Sequence, residues 1–335
     1  MSAVAGYPVR APRWVLTYQG VNITGDVSQM VTEITYVDRL GDACGELEIE
    51  LDDHDGRWQG SWYPSLGDRA NLLIGYHGEE LLPCGDFQVD ELELAGPPDR
   101  FRMRCLAAYV TPALRTENSA GYENLTLLQI AAVIAGKYGL TLMSATGVED
   151  LSFTRVTQKQ ETDLGFLKRL ANQFDYDFNV RGATMVMFAR TALEQTAPVF
   201  TIAPGGVERY EFRNKTRRIY AGAQAAYQDP FARQLIVQSV ESQPPAPTGD
   251  TLKLVSRCEN GQQARLKAAA ALHRHNLAFT TISLTMPGTT LAASGSTAAV
   301  QGWSSLDGTY LIELARHHLD RATGYTTEIE ARLVQ

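Results

Sequence analysis

The chain has 335 residues, 44% of them hydrophobic and 20% charged, and its 38 acidic and 30 basic side chains give a net charge of −8. That length exceeds one typical core, so two or three domains of an ordinary soluble protein are expected. The acidic balance disfavours a general nucleic-acid-binding surface, and no apolar run approaches the ~18 residues that cross a bilayer.

The N-terminal MSAVAGYPVRAPRW lacks the basic-then-apolar order of a signal peptide, which predicts synthesis and assembly in a cytoplasm. The cysteines, Cys44, Cys84, Cys105 and Cys258, are widely spaced and form no C-x-x-C pair. Buried, reduced thiols are expected, with neither a zinc ribbon nor a redox motif.

The first third reads as antiparallel strands. In GELEIELDD, Leu47, Ile49 and Leu51 alternate with Glu46, Glu48 and Glu50, the pattern of a half-buried strand. RFRMRCLA sets Phe101, Met103 and Cys105 against Arg102 and Arg104. In GDFQVDELEL the apolar parity changes from Phe87 and Val89 to Leu92 and Leu94, which predicts a β-bulge near Asp90 and Glu91. With TEITYVD and ANLLIGYHG these make a small closed barrel or sandwich over about residues 12–110.

DDHDGRW brings Asp52, Asp53, His54 and Asp55 together, yet the longer oxygen-ligand alternation and distal Glu of a calcium loop are missing. Asp-Gly after a strand marks a turn.

The middle is α+β. NLTLLQIAAVIAGKYGL predicts a helix capped by Thr126 and Gln129, with Leu127, Ile130, Ala131 and Ile134 as its apolar stripe and Gly139 at its C-terminal cap. ETDLGFLKRLANQFDYDFNV predicts a second helix. Thr162 caps it, Asp163 suits its N-terminus, and Leu167, Leu170, Ala171 and Phe174 line one face. ATMVMFAR returns as a strand.

From about residue 195 strands dominate again in VERYEFRN, RRIYAGAQAAY and RQLIVQSVE, followed by the linker-like SQPPAPTGD. LKLVSR precedes an Ala-rich helix, NGQQARLKAAAALHRHN, which Asn260 caps with Gln263 at the third position. His273 and His275 stand two apart on it, about 200° around the axis, and diverge. In the closing IELARHHLDRATGYTTEIEARL, period-two alternation predicts a hairpin. There His317 and His318 point to opposite strand faces and cannot share one ion, while Asp320 sits at the turn. Neither a G-x-x-x-x-G-K-[ST] phosphate loop nor a G-x-S-x-G nucleophile elbow occurs. No catalytic, cofactor-binding or metal-ligating residues are therefore assigned, and no cofactor is expected.

VTQKQETDLGFLKRLANQFDYDFNV resembles the signature helix of the phage late control gene D family, with its Gln, its Glu-Thr-Asp and its Phe-Leu-x-Arg-Leu-Ala before a strand. LLIGYHGEELLPCGDFQVDELELAGPPDRFRMRCLAA is similar to that family's first barrel, including Gly-x-Phe-x-Val-Asp-Glu and the Gly-Pro-Pro turn. The likeness runs on through LRTENSAGYENLTLLQIA and, more loosely, the final hairpin.

This resemblance implies a non-enzymatic baseplate hub of a contractile injection system, a phage tail or tailocin. The implied fold is β-rich α+β, with two tail-tube-like antiparallel β-barrel domains (residues 1–111 and 193–335, the second carrying one inserted helix). A small α/β domain, residues 112–192, joins them. Three chains would form a homotrimer with pseudo-six-fold symmetry between a hexameric tube and a trimeric spike. The implied partners are the central spike, tail tube or tube-initiator, tape-measure and baseplate wedge proteins, with no sequence-specific nucleic acid and no membrane insertion.

Two rival readings belong to other classes. One is a tail-associated cell-wall hydrolase, suggested by the scattered His and Asp. The other is the hub part of a type VI secretion-like spike, which would continue past Gln335 into an oligonucleotide-binding-type domain and a needle.

Overall fold

The computed structural model describes residues 10–41, 45–107, 116–145, 147–181, 183–229, 233–243, 249–254, 258–277 and 279–334. Cys44 and most of SQPPAPTGD lie outside these stretches.

The first segment holds β1 (Pro12–Tyr18), β2 (Val21–Asn22), the short α1 (Thr24–Val27), β3 (Val31–Arg39), β4 (Glu46–Asp52), β5 (Arg69–Tyr76), β6 (Leu82–Ala95) and β7 (Arg100–Ala107). Alternation sets its faces as expected. Leu47, Ile49 and Leu51 are buried and pair across β4 and β7 with Cys105, Met103 and Phe101. The same register places Glu48 opposite Arg104 and Glu50 opposite Arg102. Arg102 there pairs with Glu48, Glu50 and Glu93, so the polar face is a ladder of alternating charge. The expected bulge is present as a slip in the β6–β7 register between Val89 and Glu91. Beyond it Leu92 is half-buried, whereas Leu94 faces solvent.

The middle segment runs β8 (Glu117–Thr126), α2 (Leu127–Lys137), β9 (Thr141–Ser144), β10 (Ser152–Thr162), α3 (Asp163–Asn172), β11 (Tyr176–Arg181), β12 (Thr184–Ala189) and the short α4 (Arg190–Glu194). Thr126 and Gln129 form the reciprocal capping box. Gly139 follows α2 at φ +68°, a left-handed turn that glycine adopts without steric cost. Thr162 Oγ1 accepts from the Gly165 amide and starts α3. β8 pairs with β10, while β11, β12 and β9 form a separate three-stranded sheet. Both predicted helix stripes are buried in one core, which Phe166 joins by stacking on Tyr122 at 5.2 Å.

The last segment comprises β13 (Phe200–Ile202), β14 (Arg209–Asn214), β15 (Gly222–Asp229), β16 (Gln234–Glu241), β17 (Thr251–Leu254), α5 (Gly261–Asn276), β18 (Thr280–Pro287), β19 (Thr297–Val300), β20 (Gly308–Asp320) and β21 (Gly324–Leu333). β15 begins later than its apolar run suggests. The amide of Ile219 closes a turn onto Thr216, and Asn276 holds the Tyr220 backbone through both its amide oxygen and its amide nitrogen. α5 covers the β16–β15–β17 sheet with Ala264 and Ala268 against Ala223 and Ala225, small side chains that let helix and sheet approach closely.

β20 joins the two strand-rich ends. Along one edge it pairs with β21; along the other, residues 308–311 pair with β19 and residues 314–320 pair with β3. A bulge between Ile312 and Leu314 marks the change of neighbour. The outcome is one sheet in the order β14-β18-β21-β20-β3-β4-β7-β6-β5-β1-β2, with β13 and β19 beside β20. Among the described strands, neither end closes into a hydrogen-bonded barrel, because the free edge of β3 goes to β20 instead. The first core nonetheless collects residues from β1, β3–β7, β20 and β21, so this part of the sheet curls around one interior.

Candidate functional site

The Glu-Thr-Asp and Arg positions of the middle motif are tied down. Asp163 is fully buried at the head of α3. It accepts from Gln158 Nε2 at 2.7 Å, Tyr138 Oη at 2.7 Å and Lys137 Nζ at 3.2 Å. Burial alone would raise its pKa, but these donors outweigh that effect and hold it below the usual carboxylate range. Arg169 clasps Glu161 with two nitrogens, at 3.0 and 2.6 Å. The motif thus binds β10, α2 and α3 into one body.

From this body two charged junctions reach the flanking segments. At the first, Lys168 Nζ donates to the Gly41 carbonyl oxygen at 2.6 Å, at the turn after β3. Lys168 lies off the apolar stripe of α3, and helix periodicity gives no sign that the turn after β3 packs against it there. Asp177, fully buried beside it, accepts from Arg190. Burial pushes its pKa up, opposed by Arg190 and Lys168.

At the second junction, His273 of α5 stands 2.6 Å from Asp175 and 3.0 Å from Glu194 of α4. Glu194 also pairs with Arg332 of β21 at 2.6 Å, and Arg332 reaches Glu313 of β20 at 3.0 Å. Burial alone would lower the His273 pKa, but Asp175 and Glu194 lift it to about 9, so the ring is an imidazolium at neutral pH. Glu194 is held below its ordinary range by His273 and Arg332 despite its burial. This cluster fixes the middle segment, α5 and the last hairpin relative to one another. Its chemistry is electrostatic clamping. Sequence reasoning missed it because the acids lie far from His273 in the chain and only the fold assembles them.

The residues singled out from sequence are separated. His317 is fully buried; its Nδ1 is 2.8 Å from Tyr325 Oη and its Nε2 3.0 Å from the Ala292 carbonyl oxygen, so Nε2 carries the proton. Burial pushes its pKa down to about 4. His318 lies on the opposite face, between Thr35 and Asp320, each at 3.0 Å. Asp320 is buried enough to raise its pKa, yet its turn donors Thr323 and Ala322, with His318, bring it down to about 2. His275 meets the Tyr220 ring edge-on, away from His273.

In the DDHDGRW turn, Asp53 accepts from the Trp58 amide and Gln59, Asp52 from His54, and Asp55 pairs with Arg57. Each carboxylate there serves its own turn. Cys84 and Cys105 are buried and Cys258 is half-buried.

No family model matches the chain. The "Probable baseplate hub protein" of Escherichia phage 186 is 29% identical over 221 residues, 65% of this chain and 56% of that protein. The protein of the same description from Escherichia phage P2 is 28% identical over 220 residues, 64% and 56%. The chain thus spans about half the length of the curated relatives it matches.

Among solved structures, the 43 kDa tail protein of prophage MuSo2 from Shewanella oneidensis has a TM-score of 0.73 at 16% identity, covering 96% of this chain and 98% of that one. An Escherichia coli type VI secretion system component, described as structurally similar to bacteriophage T4 tail proteins, has a TM-score of 0.64 at 12% identity, covering 96% and 76%. The resemblance read in the QKQETD motif is therefore matched by relatives described as baseplate hub proteins. The fold is shared with phage tail and type VI secretion proteins.

Proposed function

We propose that this chain is a structural baseplate hub subunit of a contractile injection machine, a component of a phage or phage-like tail. The observation that carries the reading is β20, a single strand that continues one wall through both strand-rich ends of a chain similar to hub proteins. A sheet shared in this way resists bending between the ends better than a linker, which suits a part that transmits force. On this reading the strand-rich residues 1–111 and 193–335 act as two tail-tube-like units that share one sheet instead of closing as separate barrels, and residues 112–192 act as the connector. Three copies then present six similar units to a hexameric tube and a three-fold face to a spike. Spike, tube, tape-measure and wedge proteins are the partners, met through apolar burial and strand edges rather than catalysis.

Light scattering and electron microscopy of the protein co-expressed with its spike test the reading. A three-copy ring is expected, and a strict monomer in the presence of the spike counts against it. The fold likeness to the type VI component supports a second reading, the hub part of an effector spike. The same images distinguish it, because the spike then belongs to the hub polypeptide instead of a separate chain. A peptidoglycan zymogram with no clearing is expected for either hub.

A further inference from the structure

A cavity of about 590 Å³ lies where β10 and α3 of the middle segment meet the N-terminal half of α5. That volume falls within the roughly 300–1,000 Å³ in which proteins hold ligands. Phe153, Val156 and Leu170 give it an apolar patch, and the rest of its lining is polar.

Three cations line it, one from each element: Arg155 of β10, Arg169 of α3 and Lys267 of α5. The Arg155 side chain is 65% exposed, and its Nε stands 3.6 Å from Glu123, too far for a hydrogen bond. Its guanidinium fork therefore keeps its donors available among the described residues. Arg169 engages Glu161 and the Thr157 carbonyl oxygen through Nε and Nη2, and its Nη1 meets no acceptor among the described residues. Lys267 is half-buried with its Nζ 5.6 Å from the centre of the Phe174 ring, and burial pulls its pKa down.

Among the described residues one carboxylate lines the cavity, that of Glu259. Its oxygens accept from the Thr154 and Arg155 amides at 2.8 and 3.3 Å, and it pairs with neither arginine. Burial would raise its pKa, but these amides hold it below the usual range, so it stays charged. In a chain of net charge −8 the result is a recess with unclaimed cationic donors, and its complement is an acidic group. Cations drawn from three elements around an apolar patch suit carboxylates spaced along a chain, with an apolar side chain between them. The standing charge of Glu259 works against a doubly charged phosphate in the same space.

We propose that this cavity binds an acidic segment of another polypeptide, which sets carboxylates on Arg155, Arg169 and Lys267 and an apolar side chain against Phe153, Val156 and Leu170. The proposal stands on the cavity and the charges around it and does not depend on the hub reading.

The test follows the side-chain amide of Gln173, which lines the cavity, by nuclear magnetic resonance in the 15N-labelled full chain, assigned with Gln173→Met. The probes are acetyl-Glu-Leu-Glu-Leu-Glu-amide, its Gln-for-Glu counterpart and inorganic phosphate. The acidic peptide is expected to move the Gln173 resonance and to bind about tenfold more tightly than the neutral one. Arg155→Gln, at an exposed position, is expected to weaken the acidic peptide about fivefold, the upper range for an exposed ion pair. Arg213→Gln, an exposed arginine of β14 outside the lining, is expected to leave binding unchanged. No movement with the acidic peptide overturns the proposal, as does binding that persists unchanged in Arg155→Gln or falls equally in Arg213→Gln. Phosphate binding as tightly as the acidic peptide also overturns it, because the cavity is then a site for free anions.

Discussion

Lys168 Nζ lies 2.6 Å from the carbonyl oxygen of Gly41, and the turn it holds rests on the Asp177 carboxylate, 2.1 Å from where a Gly41 Cβ would stand. Gly41 adopts φ +74°, so an added side chain meets both strain and collision. Lys168→Ala is accordingly expected to cost ~1.5–3 kcal/mol, the range for a hydrogen bond with a charged donor. Leu167→Ala removes a fully buried side chain and should cost ~2–5 kcal/mol. Gly41→Ala should exceed Lys168→Ala. Urea unfolding midpoints check the order, and a wild-type midpoint for Lys168→Ala would mean the contact carries no stability.

Asp163 makes a sharper case, because its donors come from three elements: Gln158 from β10, Lys137 and Tyr138 from the end of α2, and Asn118 from β8. Asp163→Ala strands the buried Gln158 amide and the Lys137 and Tyr138 donors, at an expected cost of ~3–5 kcal/mol. Thr162→Ala removes only the cap and should cost about 1 kcal/mol. Thermal unfolding should rank the two in that order, with the secondary-structure content of the Thr162 variant unchanged.

What was legible in the sequence was local. Thr126 and Gln129, Thr162, the bulge after Val89 and the opposed faces of His317 and His318 all follow from spacing that one or two elements enforce. What was not legible depended on distant partners. Nothing near Lys168 announces Gly41, and nothing near His273 announces Asp175 or Glu194. The role of β20 was hidden for the same reason. Its alternation gives a strand, but choosing β3 as a neighbour is a property of the whole sheet.

The charge ladder gives a prediction at the surface. Arg102 pairs with Glu48, Glu50 and Glu93, and its side chain is 32% exposed. Arg102→Ala should cost about 1 kcal/mol at low salt, more than an isolated exposed pair because three carboxylates then repel one another. At 1 M salt, where the Debye length is about 3 Å, the difference from wild type should shrink. Denaturant titrations at both ionic strengths measure it, and a difference that grows with salt would contradict the electrostatic account.

His273 and His317 predict a stability maximum near neutrality, each from the opposite side. The His273 pKa is about 9 in the folded chain and about 6.5 unfolded, so its contribution is complete below 6.5 and is lost as pH climbs to 9. His317 is depressed to about 4, so the folded state keeps a neutral ring that the unfolded chain would protonate. Its contribution is complete above 6.5 and is lost as pH falls toward 4. Each limb has a slope of at most ~1.4 kcal/mol per pH unit where one proton separates the states. His273→Gln should flatten the alkaline limb and leave the acid one, and His317→Gln should do the reverse. Both variants are expected to be less stable at pH 6.5, by roughly 2–4 kcal/mol, since each leaves buried partners unmatched. Urea unfolding at half-unit intervals from pH 4 to 9 separates the limbs. An alkaline limb that persists in His273→Gln would move the titration to another group and release the junction from its role as a clamp.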